Sequence, residues 1–275
     1  RLGYNMRIYR PGIWALNPYL NDADPSYISR GNPELDSEKS HAFNLSYSNF
    51  IQKFNVNISA RYSFTNNSIE NVTRLMPDTE IEGLKNPTGK DVLYSTYANI
   101  GKTRYASVNG YVNWNATSRT RIYMNMSGNY SYLEGGEGMR NDGWSLFAYG
   151  GAQHTLPHDW RISMNVFGQT PWIMLQGKGS SFFDYGVSVN KSFLNKRLTL
   201  SAFASNFFKK YMNQSSTTEG SGFVRESNYK YSRQRFGVSV SYRIGELKAS
   251  VKKAARTISN DDVKSGGGDS VGGGE

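Results

Sequence analysis

Apolar and polar side chains alternate with a period of two residues through most of this sequence. Between residues 54 and 65, Phe54, Val56 and their successors at even positions are apolar, whereas Asn55, Asn57 and the other odd positions are polar. Successive side chains of a β-strand point to opposite faces, so the pattern predicts strands with one apolar face. No segment of helical periodicity interrupts these runs. The sequence therefore predicts an all-β fold.

Strand length distinguishes a membrane protein from a soluble one. The alternation predicts ten long strands, at approximately 1–9, 38–50, 53–77, 92–115, 118–133, 142–156, 159–174, 181–193, 197–211 and 222–244. Strands of soluble domains have about 5–6 residues, whereas a tilted transmembrane strand needs about 9–11. Most of the predicted strands reach that length. A hydrophobic content of 37% is compatible with this assignment, because only alternate positions must be apolar.

The connections between these strands alternate in length. Short ones are predicted at 51–52, 116–117, 157–158 and 194–196, and long ones at 10–37, 78–91, 134–141, 175–180 and 212–221. Outer-membrane barrels have short periplasmic turns and longer extracellular loops. We therefore expect an antiparallel up-and-down transmembrane β-barrel in the cell outer membrane, about ten strands of which belong to this chain.

The two faces of the predicted strands suit lipid and water. The polar face is mainly Asn, Ser and Tyr, as expected for a wet lumen, and Arg61, Arg161 and Asp184 lie on it. Aromatic residues flank the connections, as in the two interfacial girdles of such barrels. The predicted girdle residues are Phe50, Phe54, Trp114, Trp160 and Phe193 beside short turns, and Tyr132, Trp144 and Phe183 beside long loops.

Composition excludes several kinds of chemistry. The absence of cysteine rules out disulfides, thiolate catalysis and cysteine-type zinc sites. The net charge is +10, but the cations are scattered and not grouped with aromatic residues, so no nucleic-acid partner is expected. The chain opens at Arg1 without an initiator Met, which we interpret as a fragment with strands at 1–245. Residues 246–275 are interpreted as a basic, then Gly-rich, flexible periplasmic tail.

No enzyme activity, cofactor or metal is expected. The histidines, His41, His154 and His158, do not converge on one level of the lumen. If a ligand is bound, the first long loop is the best candidate, because loops on a rigid scaffold often carry function. Its predicted ligand-contact residues are Trp14, Tyr19, Asp22 and Tyr27.

Several motifs give the chain a family resemblance. They are Arg10-Pro11, Leu16-Asn17-Pro18, Asp24-Pro25, Gly31-Asn32-Pro33-Glu34-Leu35 with Glu38, and the closing run from Arg235 to Gly245. In this order they resemble the first long loop and the closing strand in the C-terminal barrel portion of TonB-dependent receptor-like outer-membrane proteins of Gram-negative bacteria.

The resemblance implies a larger parent protein. Such transporters have barrels of about 22 strands with a plugged lumen, so this chain would be the C-terminal part of a protein that binds or imports a nutrient. Implied partners are outer-membrane lipid, an N-terminal plug, the remaining strands and, through the parent, the TonB complex and a surface lipoprotein.

Two alternatives remain open from the sequence. One is a self-contained ten-stranded outer-membrane barrel, either a hydrolase active at its rim or adhesin-like, in which the first strand pairs with the last. The other is a soluble all-β binding module, which requires two apolar faces packed against each other.

Overall fold

A computed structural model describes residues 1–245 and 263–264. The strands are β1 (Leu2–Pro11), β2 (Asn21–Asp24), β3 (Tyr27–Ser29), β4 (Glu38–Ile51), β5 (Phe54–Pro77), β6 (Asp91–Trp114), β7 (Thr120–Glu134), β8 (Arg140–Leu156), β9 (Trp160–Gln169), β10 (Ile173–Met174), β11 (Gly177–Lys178), β12 (Phe182–Phe193), β13 (Leu198–Ser205), β14 (Tyr211–Gly220), β15 (Phe223–Ser232), β16 (Arg235–Tyr242) and β17 (Val263–Lys264). One short helix, α1 (Ile13–Leu16), and 3₁₀ turns at Asp78–Glu80 and Gly136–Gly138 complete the described elements. No helix in these residues has the length and apolarity of a membrane span.

Ten long strands form one continuous antiparallel wall. Their order is β1-β4-β5-β6-β7-β8-β9-β12-β13-β16, so each wall strand pairs with the wall strands before and after it in the chain. This confirms the all-β, antiparallel up-and-down prediction. At the β8–β9 turn, His158 and Asp159 have φ of 60° and 58°. Two consecutive left-handed residues are typical of a type I′ hairpin turn, whose twist matches the strands.

The apolar rows of the wall lie on its exposed side. Ile58 is 48% exposed and Val240 66% exposed, whereas Asn57 and Ser127 on the other face are half-buried. A soluble two-layer module would bury the aliphatic rows against a second sheet. The described residues place no second layer over them, which differs from the arrangement that the soluble alternative predicts.

The structure corrects three predicted strands. The strand predicted at 159–174 ends at Gln169, because Pro171 cannot donate to the ladder. The strand predicted at 197–211 ends at Ser205, where Asn206 takes a φ of 49°. The strand predicted at 222–244 is divided into β15, which pairs with β14, and β16, which pairs with β13 in the wall.

The largest correction concerns residues 212–221, predicted to be a loop. Most of this segment is β14, which pairs with β15 in a hairpin closed around Gly222 at a φ of 81°. The hairpin joins β10 and β11 in a second sheet of four strands, separate from the wall.

The wall is open at both edges in the described ranges. β16 pairs only with β13, and β1 pairs with β4 and β17. The self-contained ten-stranded barrel, which requires β1 to pair with the last strand, is therefore contradicted. β17 pairs in parallel with Arg10 and Pro11 at the loop end of β1. Val263 and Lys264 were predicted to lie in a periplasmic tail, at the short-turn end of the wall, so the structure corrects their position. The rest of the predicted 246–275 tail lies outside the described residues.

Candidate functional site at the loop end of the wall

All five long connections meet at one end of the wall. We call them the outer loop cluster: 12–37, the upper parts of β5 and β6 with their connection (66–102), 135–139, 170–181 and 206–234. Here β3 adds to β6 as a parallel strand, with the Leu93 amide donating to the Ser26 carbonyl and the Arg30 amide to the Ser95 carbonyl, each at 3.0 Å. The first loop is thus fixed to the wall through backbone hydrogen bonds.

The outer loop cluster has a hydrophobic core of its own. Ile28 from the first loop, Ile81 from the second and Val92 at the start of β6 are 2%, 7% and 6% exposed and pack together. A second group joins Ala15 and Leu35 to Ile69. Burial of these side chains stabilises a defined loop structure, since each buried Ile, Leu or Val contributes about 1.5–3 kcal/mol relative to exposure.

Side-chain amides connect the loops through backbone hydrogen bonds. The Gln176 side chain accepts from the Thr73 amide and donates to the Thr73 carbonyl, both at 2.8 Å. The Asn141 amide donates to the carbonyls of Met174 and Gly177, at 2.8 and 2.9 Å. The fourth loop is therefore held to the second and to β8.

Asp78 closes the second loop on itself. Its carboxylate accepts hydrogen bonds from the Thr88 amide at 2.6 Å, the Thr88 hydroxyl at 2.8 Å and the Gly89 amide at 2.8 Å. These donors, the Thr88 amide first, lower the pKa of Asp78. A carboxyl with a lowered folded pKa stabilises the loop above its ordinary pKa of 3.8, and this contribution is lost as the pH falls through the lowered value.

The four predicted ligand-contact residues have different environments. Trp14 on α1 and Tyr19 are 73% and 70% exposed, and Asp22 on β2 is also exposed. Tyr27 on β3 is half-buried, and the guanidinium carbon of Arg225 lies 3.8 Å from its ring centroid. Three of the four are thus accessible, while Tyr27 joins the first loop to the β14–β15 hairpin. Their role in ligand contact stays a prediction.

Sequence reasoning missed Gln176 and Arg225, which tie the loops together. Neither stands in a recognisable motif, since Gln176 acts through a backbone group of a strand about a hundred residues away. The Asp24-Pro25-Ser26 turn was the nearest signal: the Asp24 carboxylate accepts from the Ser26 hydroxyl at 2.7 Å, and that bond lowers its pKa, with a smaller contribution from Arg225.

The polar face of the wall carries amide and tyrosine groups. Asn125 is flanked in register by Tyr111 and Tyr149, and its side-chain oxygen is buried without a hydrogen-bond partner. The hydroxyls of Tyr149 and Tyr123 are 3.4 Å apart. This surface offers uncharged donors and acceptors to a polar solute.

Two histidines of the wall are hydrogen-bonded to hydroxyl groups of neighbouring strands. His41 is hydrogen-bonded through Nδ1 to the Tyr4 hydroxyl at 2.8 Å and stacks on Phe64 with a centroid distance of 4.9 Å. His154 is hydrogen-bonded to the Thr120 hydroxyl. No group of three or more His, Asp or Glu side chains arranged to hold a metal occurs in the described residues.

Comparison with known families decides what this sheet is. The model of an outer membrane protein β-barrel family matches residues 1–242, nearly the whole described chain. The chain belongs to this outer-membrane β-barrel family. The location in the outer membrane follows from the membership, and the exposed apolar rows are the lipid-facing surface of the barrel wall.

A solved structure agrees with this assignment. The structure of the copper transporter OprC matches with a TM-score of 0.55 and 13% identity, over 88% of this chain and 36% of that one. The similarity shows a shared fold. The chain thus spans about a third of the length of the transporter that it matches. No curated protein has significant similarity to it.

The outer surface of this barrel wall fits the headgroup layers. Girdle positions beside the short turns are exposed, as with Phe50 at 67% and Trp160 at 42%, and so are Trp144 at 66% and Phe183 at 58% beside the loops. Tyr132, also beside a long loop, is half-buried, with the Arg140 guanidinium 4.8 Å from its ring, and its place in the girdle stays a prediction.

One cation on the apolar face lies among aromatic rings. Lys191 donates from Nζ to the His158 carbonyl and lies 5.4 Å from the Trp160 ring and 5.2 Å from the Phe193 ring. Its charge is therefore held at the short-turn end, where a long side chain reaches the headgroups.

Proposed function

We propose that this chain is the C-terminal wall segment of a TonB-dependent receptor whose parent protein binds or imports a nutrient across the outer membrane. The observation that carries the proposal is the open ten-stranded wall with a polar inner face, in a chain that aligns with 36% of a larger transporter structure. Transporters of this class have about 22 strands. The role is binding and transport, without catalysis.

The free wall edges support a larger parent barrel. Backbone groups facing lipid must be paired within the protein, because each unpaired group costs several kcal/mol there. Outside the contact of β1 with β17, the outer edges of β1 and β16 have no pairing strand in the described residues. We infer that further strands of the parent pair with both edges, and that an N-terminal plug lies against the polar inner face.

The remaining partners follow from this role. Outer-membrane lipid surrounds the wall, the parent's plug contacts the TonB complex, and a surface lipoprotein closes over the outer loop cluster. In this proposal the exposed Trp14, Tyr19 and Asp22 contact the nutrient as it enters from outside, and Tyr27 keeps their loop in place.

Nutrient depletion tests the proposal in cells. Spent medium from strains with and without the full-length protein is compared by untargeted mass spectrometry, with the TonB complex intact or disabled. We expect a set of solutes to be depleted faster only when both the protein and the complex are present. Depletion that is unchanged when the complex is disabled, or recovery of the full-length protein from the soluble periplasm, would contradict the proposal.

A double substitution in the first loop tests the ligand-contact residues separately from the transport role of the protein. Trp14→Ala with Tyr19→Ala removes the two exposed rings of the first loop, and Trp160→Ala removes a ring at the opposite end of the wall. We expect the first variant alone to slow depletion. If both deplete the medium like the wild type, the ligand-contact prediction is wrong, although transport itself stands.

A further inference from the structure

A groove lies on the lipid-facing side of the wall, just below the outer loop cluster. Its floor is formed by residues of β8, β9 and β12 on the outward apolar face, which share neighbouring register positions. They are Leu146, Ala148, Gly168, Phe183 and Tyr185. The groove has a volume of about 740 Å³. An apolar floor on this side of the wall suits acyl chains better than water.

The rim of the groove is cationic. Lys209, Tyr211 and Arg233 line it, and the ammonium groups of Lys210 and Lys230 lie 5.4 and 4.8 Å from the centroid of the Tyr211 ring. All three lysines are exposed.

The carboxylate near the rim, that of Asp184, already has partners. The carboxylate of Asp184 pairs with Arg233 and accepts a hydrogen bond from the Asn206 side chain at 2.7 Å. In residues 1–245 no carboxylate pairs with Lys209, Lys210 or Lys230, so three positive charges remain available, Lys209 on the rim and the other two beside the Tyr211 ring.

The height of the groove matches the outer headgroup layer. Phe183 in its floor is 58% exposed, and Phe208, next to Lys209, is 86% exposed. Tyr185 fixes this segment, since its hydroxyl accepts from the Phe208 amide at 2.9 Å. Aromatic residues of barrels concentrate where acyl chains meet headgroups. The lysines on the loop side of these rings are therefore at the level of lipid phosphates.

We propose that this groove binds a phosphorylated lipid of the outer leaflet, with acyl chains on the floor and a phosphate held by Lys209 and Lys230 beside Tyr211. A soluble anion would leave the apolar floor unused, and a neutral lipid would leave the cations without counterions. Ammonium groups bind phosphate as point charges, and each cation near an anionic membrane surface strengthens attachment. The floor of the site lies on the face of the wall opposite the polar inner face.

Native mass spectrometry of the full-length protein in detergent tests the proposal. The probes are lipid A with its phosphates, lipid A without them, and inorganic phosphate. The variant Lys209→Gln/Lys230→Gln removes two rim charges, and Lys53→Gln/Lys196→Gln removes the same charge at the short-turn end. Ala148→Trp fills the floor and leaves the charge unchanged.

We expect the wild type to prefer the phosphorylated lipid. The rim variant should bind it about 30-fold more weakly, which equals about 2 kcal/mol at 1.4 kcal/mol per factor of ten. The control pair should bind it like the wild type, and Ala148→Trp should weaken binding of both lipids. Equal binding by the rim and control variants would overturn the proposal. Complete displacement of the lipid by millimolar inorganic phosphate would also overturn it, since the site would then be one for a free anion.

Discussion

The spanning part of the wall and the outer loop cluster bury opposite kinds of side chain, although one strand belongs to both. In the lower half of β6, Val108 is 57% exposed and Asn109 beside it is half-buried. In its upper end, Val92 is 6% exposed and packs on Ile28. The surroundings of the strand, lipid below and protein with water above, decide where its apolar side chains lie.

Irregular pairing between β5 and β6 marks the boundary between the spanning part of the wall and the outer loop cluster. Between Thr65 and Ile69 of β5 the register with β6 shifts twice, and each shift adds one residue to one strand. Since the side-chain period is two, an added residue changes which positions face outward. A Cβ at Gly101 would lie 1.9 Å from the Ser68 hydroxyl oxygen, so any other residue here would displace the Ser68 side chain.

Ile28→Ala should have the largest effect, confined to the loop region. Ile28 is 2% exposed, and truncating a buried Ile costs about 2–5 kcal/mol. Hydrogen exchange should show lost protection of the Leu93 and Arg30 amides, which join β3 to β6, and unchanged protection of lower β6. Ile13→Ala, at a position 77% exposed in the same loop, serves as the control. Equal losses in both variants would show that the cluster has no packed core.

Val108→Arg should have the next largest effect, this time on the wall. An Arg that faces mid-membrane lipid costs about 2–4 kcal/mol. Denaturant titration of the full-length protein in lipid bilayers measures the change. Asn109→Arg, one residue along, is expected to be tolerated because its side chain enters the wet lumen. A greater cost for Asn109→Arg would reverse the assignment of the two faces.

Gln176→Ala should weaken the connection between the second and fourth loops. It removes both hydrogen bonds to Thr73, and leaving buried backbone groups unsatisfied costs about 1–3 kcal/mol. Proteolysis within 170–181 should become faster while the wall remains intact. The control variant Gln214→Ala removes a side-chain amide that makes no hydrogen bond in the described chain, and the rate of proteolysis should stay unchanged. If the two variants are cleaved alike, the Gln176 contacts do not hold the loop.

The wall and the positions of its long connections were predictable from sequence, whereas the internal structure of the loop cluster was not. The period-two pattern located all ten wall strands, because lipid on one side and water on the other impose it along each strand. β14 was missed because Asn213, Ser215 and Thr217 alternate with residues that are mostly polar too, so neither face is apolar.

The loop core and the ligand surface show why the remainder escaped prediction. Ile28, Ile81 and Val92 come from three separate segments, and a contact among such residues leaves no periodicity in the sequence. Loop position alone suggested Tyr27 as a ligand residue, but its neighbour Arg225 lies almost two hundred residues away in the chain.

Site-directed spin labelling tests most directly which side of the wall faces lipid. This chain contains no cysteine, so single cysteines at Ile58, Asn57, Val240 and Ser127 can be labelled in a cysteine-free full-length protein in bilayers. Labels at Ile58 and Val240 should collide more with oxygen, which concentrates in lipid, and labels at Asn57 and Ser127 more with a water-soluble nickel chelate. The reverse pattern, or equal access of the chelate to all four labels, would contradict the account.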